Sequence, residues 1–446
     1  MLLSGKGKLF ENNFLRYCFG PMAIPYDNTG ARDETLACRT TAALGIALNI
    51  SPVYDVTGPD AIKFFNQTCT NRDFARTNVG GSKHVLICND EGYMLADGVA
   101  MRIEENRWRT YWLAPVLEYY LETSGLDVKG TWVFDEFFIQ IDGPKSLEII
   151  EDAAQADAHD IKFARNKKMT IADKPVRVHR LGMSGALAYE IHGNQDDAEA
   201  VCDALCISLE KFGGRKQGFR NYINLNHTPG GYPNQGVHYL YPCYTSGEGL
   251  KNWVLMDHIT KMGLTPWAAL LGSASDKSEN AFMTPYDVGW GNLVNFNHDF
   301  PGKEALARIK TEDKYTMVTL EWNADDVGDV YADQFRGKDK FYEPIEYCNG
   351  ASDVTQIGRV RVDYTYKDGK VIGISSGNTY AFFENRRISL CKIEKQYANV
   401  GEEVIVLWGT PRYPQKEIRA TVAPFPYYNG KYRNETFDVE EIPRRF

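Results

Sequence analysis

Two segments of the chain share one pattern of apolar and polar positions. Residues 53–65 and 138–150 each begin with alternating apolar residues, continue through a Gly-Pro pair, and end with apolar residues at helical spacing. Proline suits the first turn of a helix because the N–H that it lacks has no helical partner there. The shared pattern predicts two strand–turn–helix units, and their wide separation favours two related α+β lobes over a short-period solenoid.

Shorter patterns predict more strands and a helix around these units. Residues 84–88 and 93–103 flank an Asn-Asp-Glu-Gly turn, which is typical of a hairpin. Residues 176–180 and 188–191 are predicted to form a second pair of strands, and a helix is predicted over 196–212.

The stretch 213–249 has a different composition from its surroundings. It is rich in Gly, Pro, Asn and Tyr and shows no regular apolar period. Long irregular segments inside a compact chain are more often functional than disordered, so we expect this loop to contribute to a site.

The chain beyond residue 312 changes to short β-type runs separated by turns. This pattern is typical of an antiparallel sandwich or barrel. It predicts a first domain over 1–312, with two lobes, and a second over 313–446. The predicted strands cover residues 317–322, 358–366, 370–375, 388–393 and 403–408.

Composition narrows the classes of function. The 446 residues include 50 Lys plus Arg and 59 Asp plus Glu, and without a basic run this acidic balance argues against nucleic acid as a partner. No apolar run has the length of a signal peptide or a membrane span, so we expect a cytoplasmic protein with no membrane partner. Nine cysteines without a C-x-x-C pair indicate reduced thiols.

A search for general motifs finds no nucleotide, zinc-protease or hydrolase signature, and the eight histidines show no metal-ligand spacing, so no metal is predicted. Two carboxylates still attract a chemical interpretation. Asp97 and Glu190 each interrupt an apolar strand, where a charge is costly unless it is paired or functional. The pattern leaves open that each is a solvent-facing strand residue.

These same segments resemble the aminomethyltransferase family, which includes the T-protein of the glycine cleavage system. The resemblance covers residues 32–428 and implies a three-lobed fold: two related α+β lobes, followed by an antiparallel β-barrel, with tetrahydrofolate as the cofactor. It is carried by Val-Thr-Gly-Pro-Asp-Ala at 56–61, the Asn-x-x-Gly hairpin from Asn89 to Asp97, Ala-Tyr-Glu at 188–190, Thr-Pro-Tyr-Asp-Val-Gly-Trp-Gly at 284–291, and Asp-Phe-Pro-Gly-Lys-Glu-Ala-Leu at 299–306.

Within the family, the chain is most similar to the tetrahydrofolate-dependent aryl O-demethylases that act on vanillate and 3-O-methylgallate. The similar stretches are residues 30–34, 244–251, 417–420 and 424–427, with Tyr222 at the position of their tyrosine beside the methyl ether. The resemblance implies that a methyl group passes from an aryl ether to N5 of tetrahydrofolate. Tyrosine can share a proton with the departing phenoxide because its pKa near 10 is close to that of a phenol.

The resemblance also implies a role for each candidate residue. Tyr222 and Asp97 are the catalytic candidates, and Asp97 is also expected to contact the pterin near N5 or N10. The cofactor candidates are Glu190, Tyr189, Asp97 and Trp112, and the substrate candidates are Tyr26, Ala47, Leu113, Tyr241 and Tyr244.

Two departures from the O-demethylases affect the expected substrate. Gly-Ile-Ala-Leu at 45–48 stands where the family has an Asp-containing stretch, and Leu113 stands where an arginine pairs with the substrate carboxylate. We therefore predict an uncharged aryl ether. The alternatives are methylene transfer from a methylenedioxy ring, an amine or sulfonium demethylase, and a folate-binding regulator without activity.

Overall fold

The computed structural model describes residue 8 and residues 16–19, 22–45, 52–260, 269–337, 339–345 and 359–446. In chain order, the described strands are β1 (Arg16–Phe19), β2 (Met22–Pro25), β3 (Ala43–Gly45), β4 (Val53–Thr57), β5 (Ser82–Cys88), β6 (Met94–Glu104), β7 (Arg107–Tyr111), β8 (Lys129–Trp132), β9 (Glu136–Asp142), β10 (Asn166–Ile171), β11 (Lys174–His179), β12 (Ala188–Asn194), β13 (Arg215–Gln217), β14 (Ala269–Leu271), β15 (Tyr315–Trp322), β16 (Arg359–Lys367), β17 (Lys370–Ala381), β18 (Arg386–Glu394), β19 (Glu403–Trp408) and β20 (Lys416–Ala423). The described α-helices are α1 (Ala31–Thr40), α2 (Ala61–Thr68), α3 (Val116–Thr123), α4 (Ser146–Ala154), α5 (Ala198–Lys211), α6 (His227–Gly230), α7 (Glu248–Thr260), α8 (Lys303–Glu312) and α9 (Ala324–Asp333).

Two sheets with the same strand order form two α+β lobes. Lobe 1 has the order β5-β6-β7-β4-β8, and lobe 2 has β10-β11-β12-β9-β3, with β13 added at its edge. Aromatic residues of α2 and of the following turn fill the core of lobe 1, where Phe65 stacks on Phe74 at 4.8 Å between ring centroids. The core of lobe 2 is aliphatic and includes Ile139, Ile141 and Leu147.

The predicted internal repeat is confirmed by a shared constraint at its two Gly-Pro turns. Gly58 has φ +133° and Gly143 has φ +129°, a region that side chains rarely enter. A Cβ on Gly58 would lie 2.5 Å from the Asp127 carbonyl oxygen, and one on Gly143 would lie 2.5 Å from the Thr41 carbonyl oxygen. Both turns therefore require glycine, because of the positive φ and the close carbonyl oxygen at each.

Lobe 2 takes one strand from an earlier part of the chain. β3 precedes all the strands of lobe 1 but pairs with β9 of lobe 2, whereas β8 follows the other strands of lobe 1 directly and pairs with β4. Lobe 1 is therefore built from consecutive strands, and lobe 2 is completed by a strand that the chain passes before it builds lobe 1.

The C-terminal part forms the predicted antiparallel barrel. β16, β17, β18, β15, β20 and β19 pair in that order, and a further β16–β19 pairing closes the ring, while β14 adds to β16. The chain then returns to lobe 2, where the Arg180 guanidinium donates to the carbonyls of Asn434 and Phe437 at 2.8 and 2.7 Å. β14 lies before residue 312 but pairs with the barrel, and the chain after residue 428 lies beyond residue 312 but packs on lobe 2. The division into 1–312 and 313–446 therefore stays a prediction.

The loop expected over 213–249 contains short elements. They are β13, a π-helical turn at Asn221–Leu225, α6, and the first residues of α7. None of the described helices has the length and apolarity needed to cross a membrane.

Candidate active site

The two lobes meet where β5 of lobe 1 contacts β11 of lobe 2. The Ser82 hydroxyl and the His179 Nε2 atom lie 2.8 Å apart and join the lobes directly. Side chains two residues apart on a strand share a face, so His84 lies on the same face of β5 as Ser82. The strand pattern thus brings polar side chains of both lobes to one junction, which the 218–241 segment also reaches through its tyrosines.

Asp97, on β6, is the centre of one hydrogen-bonded group at this junction. Its carboxylate accepts from the Tyr239 hydroxyl, from the Tyr241 hydroxyl at 2.5 Å, and from His84 Nε2 at 3.0 Å. Tyr241 in turn accepts the Asp97 backbone N–H at 2.8 Å. Burial raises the pKa of this carboxyl, but the hydrogen bonds from His84 and the two tyrosines outweigh burial and lower it. Asp97 is therefore an anion at neutral pH.

Glu190, on β12, is the centre of a second group. Its Oε2 atom accepts from His179 Nδ1 at 3.1 Å and from His192 Nε2 at 3.4 Å, whereas Oε1 has no hydrogen bond from any described residue. Burial opposes the charge, but the two histidines lower the pKa of Glu190 to about 2. A buried anion with one open oxygen suits a ring ligand that presents N–H donors. The three residues also offer potential metal-ligand atoms within 4.8 Å of one another, although those atoms already make hydrogen bonds.

The second group extends through a buried glutamate that joins the lobes again. Glu136 Oε1 accepts from His192 Nδ1 at 3.1 Å and from the Tyr111 hydroxyl of lobe 1 at 2.5 Å, and its other oxygen accepts from Arg109. Sequence analysis did not single out these residues. The sequence offered one signal for this group: His192 lies two residues after Glu190, so both side chains lie on the same face of the strand.

Tyr222 lies in the π-helical turn, a distortion that is frequent at functional sites. The turn is anchored by α1, because the Thr35 hydroxyl donates to Asn221 Oδ1 at 2.7 Å. The Tyr222 ring is 7% exposed and packs edge-on against Phe138 and His227, with centroids 6.5 and 5.9 Å apart.

The phenol of Tyr222 stays protonated at neutral pH. Burial raises its pKa well above the usual value, and the negative charges of Glu190 and Asp142 raise it further. Its hydroxyl makes no hydrogen bond to a described residue. Burial also lowers the pKa of the neighbouring His227 to about 4, although the charge of Asp97 opposes this effect, so His227 is neutral. Among the described residues, Tyr222 is thus a proton donor without an acceptor, and its phenol lies within the electrostatic influence of Glu190.

Three other predicted site residues lie beside these groups without joining them. Trp112 follows β7, is 43% exposed, and has a left-handed φ of 66°, which is rare for a bulky residue. Leu113 is fully buried in the core of lobe 1, and Tyr189 is fully buried in the core of lobe 2, on the sheet face opposite Glu190. Their contacts with cofactor or substrate stay predictions.

The remaining substrate candidates lie in separate places. Tyr244 is 37% exposed, and Ala47 lies outside the described residues. Tyr26 stacks under the Arg220 guanidinium, 5.3 Å from the ring centroid, and lines a cavity of about 1270 Å³ against the barrel. This cavity is lined by barrel residues and by Tyr26 and Arg220, not by Asp97 or Glu190. The cavity is therefore separate from the two groups around Asp97 and Glu190.

Comparison with known proteins agrees with this architecture. Residues 19–226 match the GCVT N-terminal domain. The chain is 44% identical over 430 residues to a sesamin methylene transferase from Sinomonas sp. (strain No.22), covering 94% of each protein. It is 29% identical to a syringate O-demethylase from Sphingobium sp. (strain NBRC 103272 / SYK-6), covering 91% of this chain and 90% of that protein.

A solved structure shows the same fold. The glycine cleavage system aminomethyltransferase T from Bartonella henselae superposes with a TM-score of 0.67 at 16% identity, covering 95% of this chain and 98% of that one. The resemblance implied by the sequence motifs is confirmed. The chain belongs to the aminomethyltransferase family, whose enzymes transfer one-carbon units with tetrahydrofolate.

Proposed function

We propose that this enzyme moves a one-carbon unit from an uncharged aryl ether to tetrahydrofolate, and that its preferred substrates carry a methylenedioxy ring. The observation that carries the proposal is the free hydroxyl of Tyr222 beside the Glu190 anion. The substrate class is supported by the printed activity of the 44% identical relative, a sesamin methylene transferase.

The residues present fit the cofactor. The open Oε1 atom of Glu190 can accept from the N–H groups of a pterin, while Oε2 is held by the two histidines. We assign cofactor orientation to Glu190 and a polar contact near the reacting nitrogens to Asp97. When bound, tetrahydrofolate would supply two nitrogens that accept the methylene carbon. Each nitrogen would lose one proton and each catechol oxygen would gain one, so the reaction requires no oxidant or reductant.

Tyr222 assists the breaking of the C–O bond. A phenoxide is a poor leaving group, and a phenoxide formed in a buried site has a raised pKa because burial disfavours its charge. The pKa of Tyr222 is raised for the same reason, so the donor and the leaving oxygen are matched. A general acid placed in this way contributes roughly 10²- to 10⁴-fold to the rate.

The surroundings of Tyr222 favour an uncharged substrate. Arg220, two residues before Tyr222, donates from Nε to Asp27 Oδ1 at 3.0 Å, and the Asp27 carboxylate offsets its charge. Leu113, which stands in place of the carboxylate-pairing arginine, is buried among apolar side chains. A substrate carboxylate would therefore gain little from either position.

The direct test is an anaerobic incubation with tetrahydrofolate and a panel of aryl ethers: a methylenedioxyarene, guaiacol and vanillate. We expect a catechol and methylene-tetrahydrofolate in equal amounts from the methylenedioxyarene, measured by mass spectrometry, and nothing when tetrahydrofolate is omitted. Absence of a folate product with every ether would refute the proposal. A ten-fold or greater preference for vanillate over guaiacol would refute the uncharged substrate.

Methyl transfer from an aryl methyl ether is the second candidate, favoured by the syringate O-demethylase relative. The same assay separates the two, because this reaction gives methyl-tetrahydrofolate and one phenol. An amine or sulfonium demethylase needs no phenolic acid and would tolerate Tyr222→Phe, and a regulator would bind folate without turnover. We also propose a cytoplasmic enzyme with small-molecule partners only. Of the nine cysteines, the seven whose side chains are described are buried free thiols, which supports a reducing compartment.

A further inference from the structure

His192 lies between two carboxylates, and its contacts with them require the protonated ring. Its Nδ1 atom is 3.1 Å from Glu136 Oε1, and its Nε2 atom is 3.4 Å from Glu190 Oε2. Ionised carboxylates only accept hydrogen bonds, so both ring nitrogens must donate. A histidine that donates from both nitrogens is an imidazolium cation.

The other histidine on Glu190 is in a different state. His179 Nδ1 donates to Glu190 at 3.1 Å. The Ser82 hydroxyl lies 2.8 Å from His179 Nε2 and 3.1 Å from the Ala164 carbonyl, and its proton can go to the nearer acceptor, Nε2. A neutral ring satisfies both contacts. Burial lowers the pKa of His179 below its usual value, in agreement with this assignment. Of the two histidines on Glu190, only His192 brings a positive charge.

We propose that His192 is a positioning residue: its imidazolium bridges Glu136 and Glu190 and so holds the open oxygen of Glu190 toward the pterin. This inference rests on the proposed function, in which Glu190 orients the cofactor. Without the Nε2 proton, a nitrogen lone pair would face Glu190 Oε2 at 3.4 Å and repel it.

The two carboxylates in contact with His192 favour the cation, whereas the positive groups nearby disfavour it. From β9 and β7, Glu136 and Tyr111 share a hydrogen bond, and the Tyr111 ring lies 5.0 Å from His192. The other titratable or charged groups that face it are Glu190 on β12, His179 and Arg177 on β11, and Arg109 on β7. Burial lowers the pKa of His192, but the hydrogen bonds that it donates to Glu136 and Glu190 raise it to about 8. The bridge should therefore be intact at pH 7 and lost above pH 8.

Two measurements on the full chain test this inference. Nitrogen-15 NMR of histidine-labelled protein should show one histidine, absent in His192→Gln, that is doubly protonated at pH 7 and titrates near pH 8. Anaerobic calorimetry with tetrahydrofolate should show a Kd that rises about ten-fold from pH 7 to pH 9, as expected for the loss of one hydrogen bond to a charged group.

The variants separate a positioning role from a structural one. His192→Gln should bind tetrahydrofolate about ten-fold more weakly at pH 7 and lose the alkaline rise in Kd. The matched control is His298→Gln, because His298 lies outside the site and, among the described residues, its Nε2 donates only to the Cys69 carbonyl, at 2.9 Å. This variant should keep the wild-type Kd and its pH profile.

The outcomes distinguish this inference from the proposed function. If the wild-type protein binds tetrahydrofolate at no pH, the proposed function fails. If it binds with a Kd that is constant from pH 7 to pH 9, or if the His192 ring is neutral at pH 7, this inference fails while the proposed function stands. Because the wild-type measurements need no variant, they decide the matter even if His192→Gln does not fold.

Discussion

Replacing Tyr222 with phenylalanine separates chemistry from folding. The Tyr222 hydroxyl has no hydrogen bond to a described residue, so its removal leaves no partner unsatisfied. The ring keeps its edge-on packing against Phe138 and His227. We expect the free energy of unfolding to change by less than about 0.5 kcal/mol. The rate of one-carbon transfer should fall by roughly 10²- to 10⁴-fold, which is about 3 to 5 kcal/mol.

The assay is an anaerobic single turnover with tetrahydrofolate and a methylenedioxyarene, with the Kd for tetrahydrofolate measured separately. Tyr54→Phe is the matched control, since it deletes an unpartnered buried hydroxyl in the core of lobe 1. It should leave the rate within about two-fold. A nitro substituent on the substrate makes the phenoxide a better leaving group, so the rate of Tyr222→Phe should then lie closer to the wild-type rate. If Tyr222→Phe keeps more than a fifth of the wild-type rate, Tyr222 is not the acid.

Three further predictions concern the frame around the site. Asp97→Asn should lower the free energy of unfolding by about 1.5–3 kcal/mol in urea titrations, because charge-assisted hydrogen bonds are lost, and should slow turnover; unchanged stability would contradict the described network. Gly58→Ala should lower the Tm by much more than Gly125→Ala, since both have positive φ but only Gly58 would bring a Cβ to 2.5 Å from a carbonyl oxygen; equal calorimetric shifts would show that this close approach is absent. Burial lowers the pKa of His159, but its hydrogen bonds to Ile442 and Glu151 outweigh burial and raise it. Protonated His159 therefore stabilises the folded protein fully at a pH below the pKa of an unfolded histidine, and this stabilisation is lost as the pH rises through the pKa of His159 in the folded protein. In urea titrations, the stability difference between wild type and His159→Gln should therefore be larger at pH 6 than at pH 8, and an equal difference would reject a raised pKa.

The sequence predicts those elements whose apolar pattern and turn residues lie within one short segment. The β5–β6 hairpin was predicted within a few residues because two apolar runs flank a turn of Asn, Asp, Glu and Gly. β20 was not predicted as a strand. Exposed polar residues alternate with buried apolar ones along β20 (Lys416–Ala423), so a local strand signal was present there and was missed. The partners of β20, which are β15 and β19, could not be predicted, because pairing over long distances leaves little trace in a single sequence.

The site shows the same limit. Asp97 and Glu190 attracted attention because a carboxylate in an apolar strand is costly. Their partners His84 and His179 did not, since the structure brings them in from neighbouring strands and not by a regular spacing. The position of Tyr222 depends on a hydrogen bond from α1 to the residue before it, which no pattern near Tyr222 reveals.

The early position of β3 in the chain has a consequence for biosynthesis. Lobe 1 has all its strands once residue 132 has left the ribosome, whereas β3 must wait for β9 before it can join a sheet. An open strand edge is a template for pairing with another chain, so this interval is when the nascent protein is most exposed to aggregation. A gene divided between β8 and β9 would leave β3 on one fragment and the sheet that needs it on the other, and only joint expression of the two halves would bring them together.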